Sequence, residues 1–198
     1  MKYASWERYE SAERWTSYYH QVDLVYAYKP ASCLEVGVGQ GMVTHALRSL
    51  DIDVQTLDID PRLEPSIVGS VEAIPLPDAS VDVVLCAEVL EHLPFDRFET
   101  CIQEIARVAK QGAVISLPHW GYTMRALWSM PLWKGSFAFK LPFSRTIPPH
   151  GVHCWEIGRT GFPPARIRAV LEHFFLIEKE WLSPWMPYHR FYRLKKKG

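Results

Sequence analysis

The chain has 198 residues, 48% of them hydrophobic, which is enough to bury one core and excludes a disordered chain. Its 22 basic and 22 acidic residues give a formal net charge of zero, which argues against a nucleic-acid partner because phosphate binding requires a basic surface. No apolar run approaches the length of a membrane span, and residues 1–30 lack the apolar segment of a signal peptide. We therefore expect a cytoplasmic protein with a single domain over residues 1–198.

Apolar residues recur at helical spacing between Glu10 and Tyr28. They are Trp15, Tyr18, Tyr19, Val22, Val25 and Tyr26. This periodicity predicts an amphipathic helix, and we expect residues 1–30 to form an N-terminal helical cap on the domain.

A glycine-rich turn lies between the first predicted strand and the next predicted helix. The strand is Cys33 to Val38, whose β-branched residues are typical of a buried parallel strand, and helical spacing starts at Val43. Gly37, Gly39 and Gly41 separate the two elements. Glycine permits positive φ and lets a ligand contact bare backbone, so the turn is typical of a nucleoside-binding loop. A glycine-rich connection that binds no ligand is the alternative.

The spacing of the glycines distinguishes two classes of cofactor. A dinucleotide fingerprint requires its third glycine at position 42, where this chain has Met42. The acid Glu35, followed by glycines at every second position from Gly37 to Gly41, instead resembles motif I of the class I S-adenosylmethionine-dependent methyltransferases. The resemblance implies S-adenosylmethionine as the cofactor, with Glu35 placing its methionyl end. The turn residues that it places against the cofactor are Gly37, Val38, Gly39, Gln40 and Gly41.

A second acid follows the next predicted strand. Val54 to Leu57 reads as a strand that ends at Asp58, roughly 20 residues beyond the first glycine, where doubly wound nucleotide-binding folds place a carboxylate on the ribose hydroxyls. Asp58 is therefore the candidate ribose ligand, with Ile59 beside it. A solvated acid in a turn is the alternative. The proline-bracketed segment 60–65 is too short for a full crossover helix and predicts a loop or a single turn.

The segment from Gly69 to Leu93 is similar to the middle of the same family. The resemblance implies that Ser70 and Val71 border the adenine. It also implies that the end of the next strand faces the methionyl group, at Cys86, Ala87 and Glu88. The family often has an acid where this chain has Ser70, so we expect the adenine amino group to be held by the Ser70 oxygen or by neighbouring backbone. The resemblance covers about residues 30–120.

Val81 to Cys86 is predicted to form a strand, and Pro94 opens the helix that follows it. The inward-facing residues of this helix are Phe98, Cys101, Ile102, Ile105 and Ala109. Gln111 and Gly112 are expected to end the helix before a strand from Ala113 to Leu117.

Past Pro118 the sequence is rich in aromatic residues interrupted by prolines, and it predicts neither strand nor regular helix up to Pro149. Open α/β sheets bind ligands outside the carboxyl ends of their strands, so we expect residues 119–160 to form a lid insertion around an aromatic-lined acceptor pocket. The acceptor is then a small molecule of apolar or lipid-like character, and contact with a membrane surface is a further hypothesis. Packing onto the core or a dimer contact is the alternative.

Histidines and one tyrosine are the candidate acceptor-binding groups. They are His92, His119, Tyr122, His150 and His153. A histidine has an ordinary pKa suited to a general base, but methyl transfer also proceeds by alignment alone, so no catalytic residue is assigned. The cluster 150–154 lacks a clear further ligand, and we expect no metal. The four cysteines show no Cys-x-x-Cys spacing and are expected to be buried thiols.

The C-terminal part returns to regular patterns. Helical spacing after Pro163 predicts a helix, and Phe175 to Trp181 and His189 to Leu194 then read as a strand pair. The resemblance implies an α/β fold with a doubly wound, Rossmann-like sheet of seven mostly parallel strands, an antiparallel last strand and flanking helices. The basic residues from Arg190 onward are interpreted as a solvated edge strand and tail, with a phosphate-binding patch as the alternative.

The sequence therefore predicts an S-adenosylmethionine-dependent methyltransferase that acts on a small-molecule acceptor and releases S-adenosylhomocysteine. One alternative is a non-catalytic binding module that keeps the fold, and another is a NAD-dependent oxidoreductase, which Met42 disfavours. The acceptor, its methylated atom and the oligomeric state are left open by the sequence.

Overall fold

The computed structural model describes residues 11–130, 133–141 and 152–197. Its helices are α1 (Ala12–Tyr26), α2 (Met42–Arg48), α3 (Phe98–Val108) and α4 (Pro164–Phe174). Its strands are β1 (Ser32–Val36), β2 (Asp53–Asp58), β3 (Ile67–Val68), β4 (Val81–Ala87), β5 (Ala109–Pro118), β6 (Thr123–Met130), β7 (Trp133–Lys140), β8 (Phe175–Leu182) and β9 (His189–Lys196). Short 3₁₀ turns lie at Pro61–Leu63, Leu90–His92 and Phe95–Arg97.

Seven of these strands form one sheet in the order β3-β2-β1-β4-β5-β9-β8. The strands from β3 to β5 pair in parallel, whereas β9 runs antiparallel to both of its neighbours, β5 and β8. This confirms the predicted doubly wound α/β fold with an antiparallel last strand. The chain builds outward from β1 to β3 and then returns to the other side of β1, so the strand order reverses between β1 and β4. Open α/β sheets bind their ligands at such a point.

Helices cover both faces of the sheet, which explains why the central strands are apolar without alternation. On one face, Leu24 of α1 and Leu47 of α2 share a buried cluster with Leu85 of β4. On the other face, the neighbouring residues Val84 and Cys86 belong to the cluster formed by α3 and α4. The predicted buried thiols are confirmed for Cys33, Cys86 and Cys101, whereas Cys154 is an exposed free thiol.

Strand β5 begins at Ala109, directly after α3, and contains Gln111 and Gly112. The prediction that these two residues end the helix is therefore wrong. Gly112 serves the sheet instead, because a Cβ at this position would lie 1.9 Å from the carbonyl oxygen of Leu194 in β9.

Residues 123–140 contain an antiparallel hairpin, β6 and β7, in which Thr123 pairs with Lys140. The prediction of neither strand nor helix after Pro118 is wrong for this segment. The alternation typical of strands is missing because apolar side chains are exposed along both strands, at Met124, Leu127, Phe137 and Phe139. Residues 142–151, which include the candidate His150, lie outside the described residues.

Strand β9 lies between β5 and β8, so its interpretation as an edge strand is wrong. Its basic side chains have partners inside the fold: Arg190 pairs with Glu180, Arg193 Nε lies 3.2 Å from Glu178 Oε2, and Lys196 Nζ donates to the carbonyl oxygen of Ala109 at 2.7 Å. These contacts argue against a phosphate-binding patch.

The segment 60–65 forms the short turn predicted for it. Among the described residues, no helix combines the length and the apolar character that crossing a membrane requires. The cytoplasmic location and the division into a cap, a core and a lid stay predictions.

Candidate functional site

The glycine turn after β1 is shaped by a close approach from the end of β4. Gly37 has φ +83°, and a Cβ built on it would lie 2.3 Å from Cγ2 of Val89. Gly39 and Gly41 also have positive φ, at +54° and +76°. Only glycine adopts this conformation and this contact without strain, so the sequence pattern follows from the geometry of the turn.

Asp58, at the end of β2, fastens this turn. Its Oδ2 accepts a hydrogen bond from the backbone N–H of Val38 at 3.0 Å, and its Oδ1 accepts from the N–H of Asp60 at 2.9 Å. The side chain therefore holds the glycine turn and its own turn at the same sheet edge. Each carboxylate oxygen has a second lone pair that remains for a ligand hydroxyl.

Glu35, in β1, is buried beneath the turn with 5% of its surface exposed. Burial raises the pKa of Glu35 to about 7, against the opposing effects of a hydrogen bond from the Thr44 hydroxyl and the charge of Arg48. The carboxyl group therefore titrates near neutral pH, and a cation bound beside it would favour its ionised form.

One cavity of about 660 Å³ opens at this edge of the sheet. Eleven of the residues predicted to contact a cofactor line it, namely Glu35, Gly37, Val38, Gly39, Gln40, Asp58, Ile59, Ser70, Val71, Ala87 and Glu88. The other two do not: Gly41 caps α2, and Cys86 is buried in the core. The far end of the cavity is formed by the segment after β4, by Val152 and His153, and by Tyr188 and His189.

Glu88 lies between the part of the cavity predicted to hold the methionyl group of the cofactor and the far end of the cavity. Its backbone has φ +54°, which is unusual for a non-glycine residue and turns the chain sharply at the end of β4. Its Oε1 accepts from the Ser116 hydroxyl at 2.8 Å, and its Oε2 lies 3.2 Å from His189 Nε2. Burial, with a contribution from the neighbouring Glu91, raises the pKa of Glu88, and burial lowers the pKa of His189 to about 3. Both shifts favour the uncharged form of the group concerned.

The 3₁₀ turn Leu90–His92 and the segment that starts at Val152 come together at the far end. The backbone N–H of Cys154 donates to the carbonyl of Glu91 at 2.7 Å, and the indole N–H of Trp155 donates to the carbonyl of Leu93 at 3.0 Å. Trp155 is fully buried among Phe95, Phe98 and Phe162, so this segment is part of the core. The core thus fixes His153 beside Glu91 and His92.

Glu91 is fully buried, and neither of its carboxylate oxygens has a hydrogen-bond partner among the described residues. Burial raises the pKa of Glu91. Glu156, also fully buried, is the opposite case: burial acts to raise its pKa, but hydrogen bonds from Arg159, His153 and Tyr188 outweigh burial and hold the pKa below its usual range. Glu156 is therefore ionised, and His153 Nδ1, at 3.0 Å from Glu156 Oε1, donates to it.

The structure does not bring all the predicted acceptor-binding residues together. His92 and His153 line the cofactor-side cavity, with ring centroids 4.9 Å apart. His119 instead lines a second cavity of about 980 Å³ beneath the hairpin, where burial lowers its pKa to about 3 and its Nδ1 accepts from Arg190 at 2.8 Å. Tyr122 is exposed and lines neither cavity. His119 and Tyr122 therefore do not line the cavity that holds the glycine turn, and their part in acceptor binding stays a prediction.

Four polar residues of the far end were missed by the sequence analysis: Glu91, Glu156, Tyr188 and His189. The spacing Glu88-x-x-Glu91-His92 after a predicted strand is a local signal that could have identified Glu91. The other three carry no local signal, because only the tertiary fold brings the start of β9 and the segment after Val152 to the cavity edge beside the end of β4.

Comparison with known proteins agrees with this geometry. Residues 34–117 match a family model described as a methyltransferase domain. Ajmaline N-methyltransferase of Rauvolfia serpentina is 34% identical over 104 residues, which cover 44% of this chain and 35% of that protein. The chain thus matches only about a third of the length of this relative.

Two solved structures share the fold along most of both chains. The N-methyltransferase NodS from Bradyrhizobium japonicum, in complex with S-adenosylhomocysteine, aligns with a TM-score of 0.67 at 11% identity, covering 98% of this chain and 92% of that one. The 1,6-didemethyltoxoflavin-N1-methyltransferase of Burkholderia thailandensis aligns with a TM-score of 0.65 at 15% identity, covering 93% and 81%. With the sheet order and the glycine turn, these comparisons show that residues 34–117 are similar to a methyltransferase domain and that the chain shares the fold of these two methyltransferases.

Proposed function

We propose that this chain transfers the methyl group of S-adenosylmethionine to a polar small-molecule acceptor that enters the cavity beside Glu91 and His153. The observation that carries the proposal is the continuity of one cavity, which joins the glycine turn and Asp58 to the polar groups beyond Glu88. Its volume of about 660 Å³ is within the range of small-molecule sites.

The cavity suits a cationic cofactor. Its lining holds four carboxyl groups, Glu35, Asp58, Glu88 and Glu91, against one guanidinium, that of Arg14. In the proposed complex Asp58 accepts from the ribose hydroxyls through its remaining lone pairs, Ser70 and Val71 border the adenine, and Glu35 faces the methionyl ammonium. Because Asp58 also holds the N–H of Val38, ribose binding and the shape of the glycine turn depend on the same side chain.

S-adenosylmethionine supplies a methyl group on a sulfonium, and the sulfur leaves as the neutral thioether of S-adenosylhomocysteine. What the protein must contribute is alignment of the acceptor, which can supply a large part of the rate acceleration for such a transfer. The segment containing His153 can provide alignment because Trp155 anchors it in the core.

The polarity of the far end supports a polar acceptor. Glu91, His92, His153 and Tyr188 line it, whereas the aromatic hairpin that prompted the hypothesis of a lipid-like acceptor lines the second cavity. Similarity to proteins named as N-methyltransferases of small molecules supports the same class of acceptor.

Calorimetric titration of the purified chain with S-adenosylhomocysteine, S-adenosylmethionine and NAD tests the cofactor assignment. We expect both adenosyl ligands to bind and NAD not to bind. Asp58→Ala should weaken S-adenosylhomocysteine binding by about 1.5–3 kcal/mol, which is roughly 10- to 150-fold, because it removes charge-assisted hydrogen bonds to the ribose. Tight binding of NAD alone would favour the oxidoreductase alternative instead.

Two further variants separate ribose binding from support of the turn. Asp58→Asn keeps an acceptor oxygen for the N–H of Val38, so it should preserve the turn and lose part of the affinity. Asp60→Ala is the matched control, since Asp60 lies two residues away, pairs with Arg62 and does not line the cavity. Equal affinity in Asp58→Ala and Asp60→Ala would remove Asp58 from the site. With a trideuteromethyl cofactor, incubation with fractionated cell extract should yield a mass-labelled product, and no label in any fraction would support the non-catalytic alternative.

A further inference from the structure

The side chain of Glu91 lies in an environment that the proposed methyl transfer does not explain. It is fully buried at the far end of the cavity, and neither of its oxygens has a hydrogen-bond partner among the described residues. An unpartnered buried carboxylate is costly unless it is protonated or bound to a cation. The geometry around it decides between these states.

Two imidazoles lie beside Glu91. His153 donates its Nδ1–H to the ionised Glu156, which leaves Nε2 as the lone-pair nitrogen of the neutral ring, and this atom lies 3.9 Å from Glu91 Oε1. His92 Nδ1 lies 3.4 Å from the carbonyl oxygen of Val152, an acceptor that favours the tautomer with a free Nε2. Ligand atoms of Glu91, His92 and His153 all lie within 4.8 Å of one another.

We infer that Glu91, His92 and His153 form a binding site for one divalent transition-metal ion, such as Zn²⁺, Co²⁺ or Mn²⁺. Two imidazoles and one carboxylate suit these ions, whereas Mg²⁺ and Ca²⁺ prefer oxygen ligands alone. The hydrogen bond from His153 to Glu156 is the carboxylate–histidine arrangement that orients a metal-binding imidazole. The sequence around 150–154 shows no clear further ligand beside its histidines, and the fold supplies Glu91 and His92.

Three protein ligands leave coordination positions open toward the cavity, as in sites where a metal binds an exogenous molecule. A hydroxyl bound to such an ion loses its proton more readily. This role of the metal rests on the proposed methyl transfer, and it favours an acceptor that is methylated on oxygen. Metal binding itself does not depend on the reaction. A cationic acceptor held by Glu91 is the competing occupant, but the converging groups are ring nitrogens with lone pairs, which suit a metal better than an ammonium.

The test uses chelator-treated, untagged protein titrated with Co²⁺ alone, followed by calorimetry and by visible absorption, which reports coordination by nitrogen and oxygen ligands. We expect one equivalent to bind. Glu91→Gln and His153→Ala should each weaken Co²⁺ binding by more than tenfold. Glu156→Gln should weaken it by about 10–100-fold, because it weakens the hydrogen bond that orients the His153 ring. His173→Ala is the matched control: His173 is exposed, pairs with Glu99 and does not line the cavity, so the variant should bind Co²⁺ like the unmodified chain.

His92→Ala tests the site in a variant that should still fold, because the His92 side chain is exposed and its removal leaves the core intact. Absence of stoichiometric Co²⁺ binding would overturn the inference, as would equal affinity in the Glu91, His92 and His173 variants. Binding of methylammonium in place of Co²⁺ would assign the site to a cationic acceptor. Titration with S-adenosylhomocysteine on the same preparation separates the two proposals: a chain that binds it but not Co²⁺ disproves the metal site alone, and the reverse disproves the proposed function alone.

Discussion

The two cavities described above differ in the charged groups that line them and in the elements that build them. The cavity at the carboxyl ends of β1, β2 and β4 is lined by four carboxyl groups and one guanidinium. The larger cavity, beneath the hairpin, is lined by three cationic side chains, Lys140, Arg159 and Arg190, and one carboxylate, Glu180. Burial raises the pKa of Glu35, Glu88 and Glu91, so a cationic cofactor would favour the ionised forms of the carboxyl groups in the first cavity, whereas it would meet opposing charge in the second.

The difference follows from which elements build each cavity. Parallel strand ends meet at one edge, so side chains that terminate consecutive strands, such as Glu35, Asp58 and Glu88, converge there. The second cavity forms where β7 packs near β8, and Glu180 neutralises its three cations only in part. Burial, with a further contribution from the charge of Arg190, lowers the pKa of Lys140 to about 8. Cavity size is thus a poor guide to function here, and charge is a better one.

The largest expected effect comes from the glycine turn, whose geometry defines the first cavity. Gly37→Ala would place a methyl group 2.3 Å from Val89 Cγ2 at a residue with φ +83°. Left-handed backbone costs an alanine about 1–2 kcal/mol, and forcing the contact costs about 1–3 kcal/mol more. We expect a loss of about 2–5 kcal/mol in the free energy of unfolding, measured by urea denaturation, and loss of S-adenosylhomocysteine binding.

A variant at Gly39 and a double variant separate the cost of the left-handed backbone from the cost of the contact with Val89. Gly39→Ala meets the same backbone penalty at φ +54°, but nothing lies within 4 Å of the added methyl, so its cost should be about 1–2 kcal/mol. Val89→Ala should be less harmful in the Gly37→Ala background than alone, because it relieves the clash. Equal stability of the Gly37 and Gly39 variants would show that the approach of Val89 does not shape the turn.

The pH dependence of cofactor binding should be the next largest effect. Glu35 has a pKa of about 7 in the free protein, and the methionyl ammonium should bind its ionised form. S-adenosylhomocysteine affinity should therefore increase by about tenfold per pH unit up to pH 7 and then level off, as calorimetry between pH 5.5 and pH 8.5 can show.

The stability of the free protein should change in the opposite direction. Because the folded-state pKa of Glu35 is raised, its contribution is fully present below the unfolded pKa near 4.5 and is lost as the pH rises through about 7. Glu35→Gln should remove both slopes. If the affinity of the Glu35→Gln variant still depends on pH, another carboxyl group of the cavity, such as Glu91, is the group that titrates.

The sequence predicts the first cavity far better than the second, for a physical reason. The glycine turn, Asp58 and the strand that ends at Glu88 are each defined by local patterns, and parallel pairing then brings strand ends together without further information. Glu91 and His153 meet only because Trp155 buries its segment against α3, which no local pattern reveals. The hairpin was missed because exposed apolar residues such as Met124 and Phe139 hide the alternation by which strands are identified.

The smallest expected effect tests whether the two cavities are independent. Lys140 belongs to the second cavity, where its Nζ donates to the carbonyl of Gly121 at 3.1 Å. Lys140→Met keeps the length of the side chain and removes its charge, so S-adenosylhomocysteine affinity should change by less than about twofold, because the site lies in the other cavity and salt screens the interaction between distant charges. In the unmodified chain the pKa of Lys140 is lower in the folded state than in the unfolded state. As the pH rises, the folded state therefore loses the ammonium proton of Lys140 before the unfolded state does. Its contribution to the free energy of unfolding should therefore rise between about pH 8 and the ordinary lysine pKa of 10.5, and the variant should lack that rise. A large drop in cofactor affinity in Lys140→Met would show instead that the hairpin cavity and the acidic cavity act as one site.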